Sequence, residues 1–191
     1  MANYYLDIET DGLDCVNNNI LTIQYQQLDF YTGKPIGELI ILKSYETSEK
    51  EIIEKFSKMF SKDSRWDFIA HGYNLKFEND FLYSKSIQHK IENPIKLFDF
   101  PIIDLHPVGI MMNGGNFKGS GLDKISGKNG GGLCVLGFNE KKMYKEIEAY
   151  IIQEAEEFIK LYIWLKNKMP ELLKEYKIEL IKDKNQKELE I

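Results

Sequence analysis

The chain has 191 residues, 43% of them hydrophobic, and a formal charge of −5. That length buries a full core and fits one domain better than two, while the acidic balance excludes a protein that grips long nucleic acid mainly by neutralising phosphates. No apolar run approaches the roughly 18 residues of a spanning helix, which excludes a helical membrane protein.

The sequence enters a strand-like segment with no charged and apolar leader, and Cys15 and Cys134 stand far apart. The expectation is two free thiols in a reducing cytoplasm. Tyr4 to Glu9, Ile20 to Phe30 and Ile36 to Leu42 read as three strands, with Tyr31-Thr32-Gly33-Lys34-Pro35 as the turn between the second and third. They predict an antiparallel meander. From Thr47 the period changes. Ile52, Ile53, Phe56, Met59 and Phe60 recur at helical spacing, and Trp66 to His71 makes a short apolar strand.

A second helix is predicted from Leu75 to Ile91, and one more buried strand from Leu97 to Leu105. Asn113 to Gly132 is glycine-rich, with a helical insert at Leu122 to Ile125. A long helix follows from Glu140 to Lys168, stopped by Met169-Pro170 because proline disfavours helical geometry in the residue before it. Leu172, Leu173, Tyr176 and Leu180 then form an apolar stripe expected to dock on its own domain, and Lys182 to Ile191 is charged and expected to fray. A meander followed by alternating helices and strands predicts an α/β fold, a mixed sheet covered by helices. The division expected is a single domain over 1–182 and a charged tail over 183–191.

Asp7 and Glu9 lie two apart on the first strand, so both point to one face while Leu6 and Ile8 point to the other. Two like charges on one patch of a sheet call for a divalent cation, or else for a solvated strand end. The long helix supplies a third acid. Its apolar stripe runs Met143, Ile147, Tyr150, Ile151, Glu154, Phe158, Leu161, Leu165, so Glu154 sits inside the stripe with Tyr150 four residues before it. Glu146, Glu148, Glu156 and Glu157 take flanking or outer positions. In the second helix Glu78 is three after Leu75 and three before Phe81, which points it inward, whereas Asp80 neighbours Lys76 and Ser84 on the outer face. Glu78 is preferred as the acid of this element, with Asp80 as the alternative.

Other signals carry less. The run from Asp7 starts like a calcium loop but has Asn18 at the twelfth position instead of glutamate. Gly121 to Asn129 has the wrong glycine spacing for a phosphate loop. The glycine-rich stretch with Lys118, Lys124 and Lys128 reads as an ordinary loop before it reads as a substrate flap. His71, His89 and His106 lack metal-ligand spacing, and Asp104 reads as structural, a cap for the segment after it.

Asp7-Ile8-Glu9-Thr10 with Gly12-Leu13, then Asn74-Leu75-Lys76-Phe77-Glu78, then Tyr150 with Glu154 four later resembles the three motifs of the DEDD (DnaQ-like) 3′–5′ exonuclease superfamily, in the same order. Tyr150, with Ala149 where another subgroup carries histidine, places the resemblance in the tyrosine subgroup. The resemblance implies an RNase H-like fold with a mixed five-stranded sheet. It also implies two Mg²⁺ or Mn²⁺ ions on Asp7, Glu9 and Glu154, and single-stranded DNA or RNA 3′ ends as substrate. It further implies that Glu78 completes the acids, Tyr150 orients the attacking water and Asn74 holds the second motif. Thr10 and Leu13 would cradle the terminal nucleotide.

The chain departs from the family at Glu78 and Glu154, where the family carries aspartate. Catalytic constellations tolerate only about 0.5 Å of error, so two further readings stand. One is a catalytically degenerate relative that binds nucleic acid or protein. The other is a metal-dependent phosphoesterase of small nucleotides.

Overall fold

Every second residue of β1 (Asn3–Thr10) serves the same face of a sheet. Leu6 and Ile8 are buried with Ile53, Phe56, Phe81 and Leu82, while Tyr5 is buried with Phe158 and Tyr162 on the opposite side. The computed structural model describes residues 2–60, 64–126 and 133–189, with 133 and 183–189 described by their backbone alone.

β1 pairs antiparallel with β2 (Ile20–Leu28), which pairs antiparallel with β3 (Ile40–Lys43). On its other edge β1 runs parallel to β4 (Ile69–Gly72), and β4 parallel to β5 (Ile102–Asp104). The order β3-β2-β1-β4-β5 is the mixed five-stranded α/β sheet that the meander and the later elements predict. It puts β1 at the centre. At Gly72, Leu75 and the carbonyl of Leu6 leave no space for a Cβ, so glycine lets β4 turn closely past β1.

α1 (Glu49–Ser57) and α2 (Leu75–Gln88) cover the Leu6 and Ile8 face. Ser48 starts α1 by accepting the amide of Glu51. The other face is covered by α6 (Tyr144–Leu189) with α3 (His106–Met112), α4 (Leu122–Ser126) and α5 (Leu133–Glu140) beside it.

Several expectations change. β3 begins at Ile40, not Ile36, because Gly33 and Gly37 take φ of 73° and 81° and Pro35 keeps only an isolated bridge to Leu28. The stretch expected as one strand from Leu97 to Leu105 is a 3₁₀ turn, Leu97–Asp99, followed by β5, with Pro101 between them. α3 carries proline in its first turn, where the missing amide costs nothing. The long helix starts at Tyr144 instead of Glu140, since Lys142 at φ 55° breaks it from α5.

It also fails to stop at Pro170. α6 continues to Leu189, past the expected boundary at 182, although the proline removes one helix hydrogen bond. The apolar stripe of Leu172, Leu173, Tyr176 and Leu180 stays exposed on that extension and does not dock on the domain. Lys128 and the rest of 127–132 lie outside the described residues, as do 190–191. Among the described residues no helix is long and apolar enough to cross a membrane, and both cysteines are free.

Candidate active site

β1 delivers Asp7 and Glu9 to the face covered by α6, where the helix presents Glu154. One carboxylate oxygen from each of the three lies within 4.8 Å of the others. Glu78 arrives from the first turn of α2, 3% exposed, and shares a hydrogen bond with Asp7. Among the described residues, the buried Oε2 of Glu78 has no hydrogen-bond partner. Asp80 points away from this group and pairs with Lys76. Tyr150, one helical turn before Glu154, hydrogen-bonds to it.

Burial and like charge raise the proton affinities of Asp7 and Glu78. Burial, then the charge of Glu154, holds Asp7 up at about 7, while the Gln24 hydrogen bond pulls the other way. Burial and the charge of Asp7 push Glu78 well above the usual carboxylate range. The Tyr150 phenol is raised far above its ordinary value by burial and by Glu154, so it keeps its proton.

Of the residues that frame these acids, Gln24 carries no mark in the sequence and Asp104 is expected only to cap the segment after it. Gln24 faces Asp7 across the β1–β2 ladder, is fully buried, donates its Nε2 to Asp7 at 3.0 Å and accepts from the Thr22 hydroxyl at 2.9 Å. The alternation Thr22-Ile23-Gln24, antiparallel to Asp7-Ile8-Glu9, is the signal that would have found it. Asp104, opposite Gly72 in the β4–β5 ladder, accepts the amides of Asn74 (2.8 Å), Leu75 (3.0 Å) and His106 (2.9 Å). It therefore caps both α2 and α3, one more helix than expected. Asn74 takes a left-handed conformation, φ 66° and ψ 46°, and offers no cap of its own.

The loop after β1 is held just as tightly. Thr10 donates its hydroxyl to the Gly12 carbonyl at 2.5 Å, and the Asp11 carboxylate accepts the amide and side chain of Asn19 at 2.6 and 2.8 Å. Lys85, fully buried in α2, donates to the Val16 carbonyl at 3.1 Å. Leu13 stands out from this braced loop, 79% exposed.

The acids open into a cavity of about 420 Å³ with Thr10, Leu13, Asn74, Phe77 and Leu136 around it. A second chamber of about 290 Å³ adjoins it through Asp7, Asn74, Tyr150 and Glu154, and reaches His106 and Asp123. Among the described residues no lysine or arginine lines either chamber. Three converging carboxylates, with no basic neighbour among the described residues and a buried carboxyl oxygen of Glu78 beside them, fit a site for hard divalent cations. His71 is fully buried behind the sheet against Tyr162, and His89 pairs with Glu49 at 2.6 Å.

The sequence model of the RNase_H superfamily matches residues 4–129, about two thirds of the chain. Among solved structures, the fold is similar to the zinc-bound E. coli ExoI–ssDNA complex, with a TM-score of 0.51 and 14% identity over 67% of this chain and 35% of that one. The metal-free E. coli ExoI–ssDNA complex gives 0.50 and 13% over 68% and 35%. Exonuclease I with the inhibitor BCBP gives 0.50 and 14% over 67% and 36%. The chain spans about a third of the length of these proteins. A comparison with curated proteins finds no match.

Proposed function

Because the chain belongs to the RNase_H superfamily, we propose that it is a metal-dependent 3′–5′ exonuclease that removes nucleotides from single-stranded ends. The observation that carries this reading is the meeting of Asp7, Glu9 and Glu154 within 4.8 Å, with Glu78 and Tyr150 at the same cavity. Asp7, Glu9 and Glu154 would hold two Mg²⁺ or Mn²⁺ ions, which supply a hydroxide nucleophile near neutral pH and neutralise charge developing at phosphorus.

The chain's own groups supply the rest. Tyr150, kept protonated by burial and by Glu154 and donating its hydrogen to that carboxylate, offers its hydroxyl oxygen as the acceptor that orients the attacking water. Gln24 fixes the rotamer of Asp7 through its 3.0 Å hydrogen bond. Asp104 fixes the first turn of α2, and with it Glu78 and Asn74. Leu13 and Thr10, on the braced loop, offer an apolar edge and a close backbone to the terminal nucleoside. The exonuclease I structures with this fold hold ssDNA, and an open cavity beside the acids suits a strand end of the same kind.

One observation favours a second reading, a degenerate relative that binds without cleaving. Glu78 stands where the family carries aspartate, and its carboxyl is engaged with Asp7. Incubating a single strand with Mg²⁺ or Mn²⁺ and either wild-type protein or Asp7→Ala separates the two. Cleavage lost in the variant and in EDTA supports the exonuclease. Binding without cleavage in every lane supports the degenerate relative.

A further inference from the structure

We propose that the single strand leaves the carboxylates over a wall made by Tyr73 and His106, and that Phe117 and Lys118 on the adjoining loop grip it. Phe117 stacks on a base and Lys118 faces a phosphate. This subsite rests on the exonuclease reading above, and it lies on the opposite side of the acids from Leu13.

The groove has two ends. Both chambers share Asp7, Tyr73, Asn74, Tyr150 and Glu154, so a strand held at the acids extends into each. Leu13 and Leu136 line the first chamber alone, and His106, Gly121 and Asp123 the second alone. At that second end the rings of Tyr73 and His106 pack with centroids 5.3 Å apart and planes at 45°. Asp123 is balanced there by Lys124 at 3.3 Å.

The loop beyond this wall is braced. Ser120 is fully buried, and its hydroxyl donates to the Phe117 carbonyl at 2.7 Å. That uses its only hydrogen, so His106 donates to Ser120 through Nε2 at 3.2 Å. The Tyr73 hydroxyl donates to the Ser120 carbonyl. Asn113 donates its side-chain amide to the carbonyls of Asn116 and Lys118, at 2.8 and 3.0 Å. Gly114, Gly115 and Gly119 take φ of 63°, 82° and 86°, values that side chains with a Cβ rarely adopt.

A loop tied in this way is braced, and it holds an aromatic ring in water. Phe117 is 76% exposed, and Lys118 is exposed with no ion pair among the described residues. An exposed ring beside an unpaired cation is what a single strand requires, since every base has a face to stack and every link a phosphate to neutralise. Pre-organisation lowers the entropy lost on binding. A local grip of this kind also suits a chain of net charge −5, which cannot hold nucleic acid by its overall field.

The test is fluorescence anisotropy of a labelled long single strand in EDTA, where it is not cut, with wild type, Phe117→Ala, Phe117→Trp and Lys118→Ala. Loss of one stack predicts about tenfold weaker binding for Phe117→Ala, with recovery in Phe117→Trp. Lys118→Ala is expected to weaken binding and flatten its salt dependence. The ratio of kcat/KM for the long strand over that for a dinucleotide is expected to fall in Phe117→Ala. Unchanged affinity in both alanine variants overturns the subsite while leaving the exonuclease reading in place. Strand binding that depends on Phe117 in a protein that never cleaves supports the subsite and removes the exonuclease reading. A wild-type protein that binds no strand overturns the subsite.

Discussion

Asp7 and Glu78 reach one another from β1 and α2, a half-buried and a buried carboxyl joined by a hydrogen bond. Both hold their protons more tightly than an ordinary carboxyl does, Asp7 up to about 7 and Glu78 well above its usual range. A raised folded-state pKa contributes stability that is present below the unfolded value and lost as pH rises through the folded one. The metal-free protein should therefore melt at a lower temperature at about pH 8 than at about pH 6. Thermal melts in EDTA are expected to show Asp7→Asn reducing that fall, and Mn²⁺ raising Tm more at the higher pH. A metal-free Tm that rises with pH, and that Asp7→Asn leaves unaltered, would contradict the picture.

Asp104 accepts three amides that start α2 and α3. Removing the carboxylate in Asp104→Ala leaves those donors without partners, at a cost of about 2 kcal/mol. Activity should fall further than stability explains, because Asn74 and Glu78 sit on the released turn. Asp104→Asn, which keeps one acceptor oxygen, should recover part of both. Urea titrations with kcat measured well below the melting point check this.

His71 is fully buried, and among the described residues neither of its ring nitrogens has a hydrogen-bond partner. Burial, aided by the charge of Lys166, lowers its pKa to about 4. A depressed histidine costs nothing above its unfolded value near 6.5 and destabilises progressively as pH falls toward 4. His71→Leu should remove up to about 3 kcal/mol of that acid sensitivity. Chemical denaturation of both proteins at about pH 5 and about pH 8 reads the difference. Parallel losses in both would show that His71 is not its source.

Tyr150 is expected to act through its hydroxyl. Tyr150→Phe keeps the ring in its buried position and should lower kcat by about a hundredfold. Calorimetric titration with Mn²⁺ should give wild-type stoichiometry, since the three carboxylates are untouched. An unaffected kcat would leave the ring as packing alone.

The features legible in the sequence are those set by local period. Asp7 and Glu9 meet Glu154 because a spacing of two on a strand and a place inside a helical stripe each point an acid inward. Glu78 over Asp80 follows from its distances to Phe81 and Leu82. Gln24, Asp104 and His106 owe their places to strand register and to loops that meet only in three dimensions. The apolar stripe at Leu172 shows the opposite limit. Amphipathicity tells which side of a helix is apolar, but not what it meets, and here the stripe runs past the edge of the domain. The break at Lys142 and the helix through Pro170 depend on single backbone angles that no pattern encodes.

The most direct test of the account is a gel assay of 5′-labelled linear and internally labelled circular single strands, DNA and RNA, with Mg²⁺, Mn²⁺ or EDTA and with Asp7→Ala alongside. The account predicts a ladder that shortens from the 3′ end of the linear strand, requires the metal, vanishes in Asp7→Ala and spares the circle. Cutting of the circle, or equal cutting by Asp7→Ala, would contradict it.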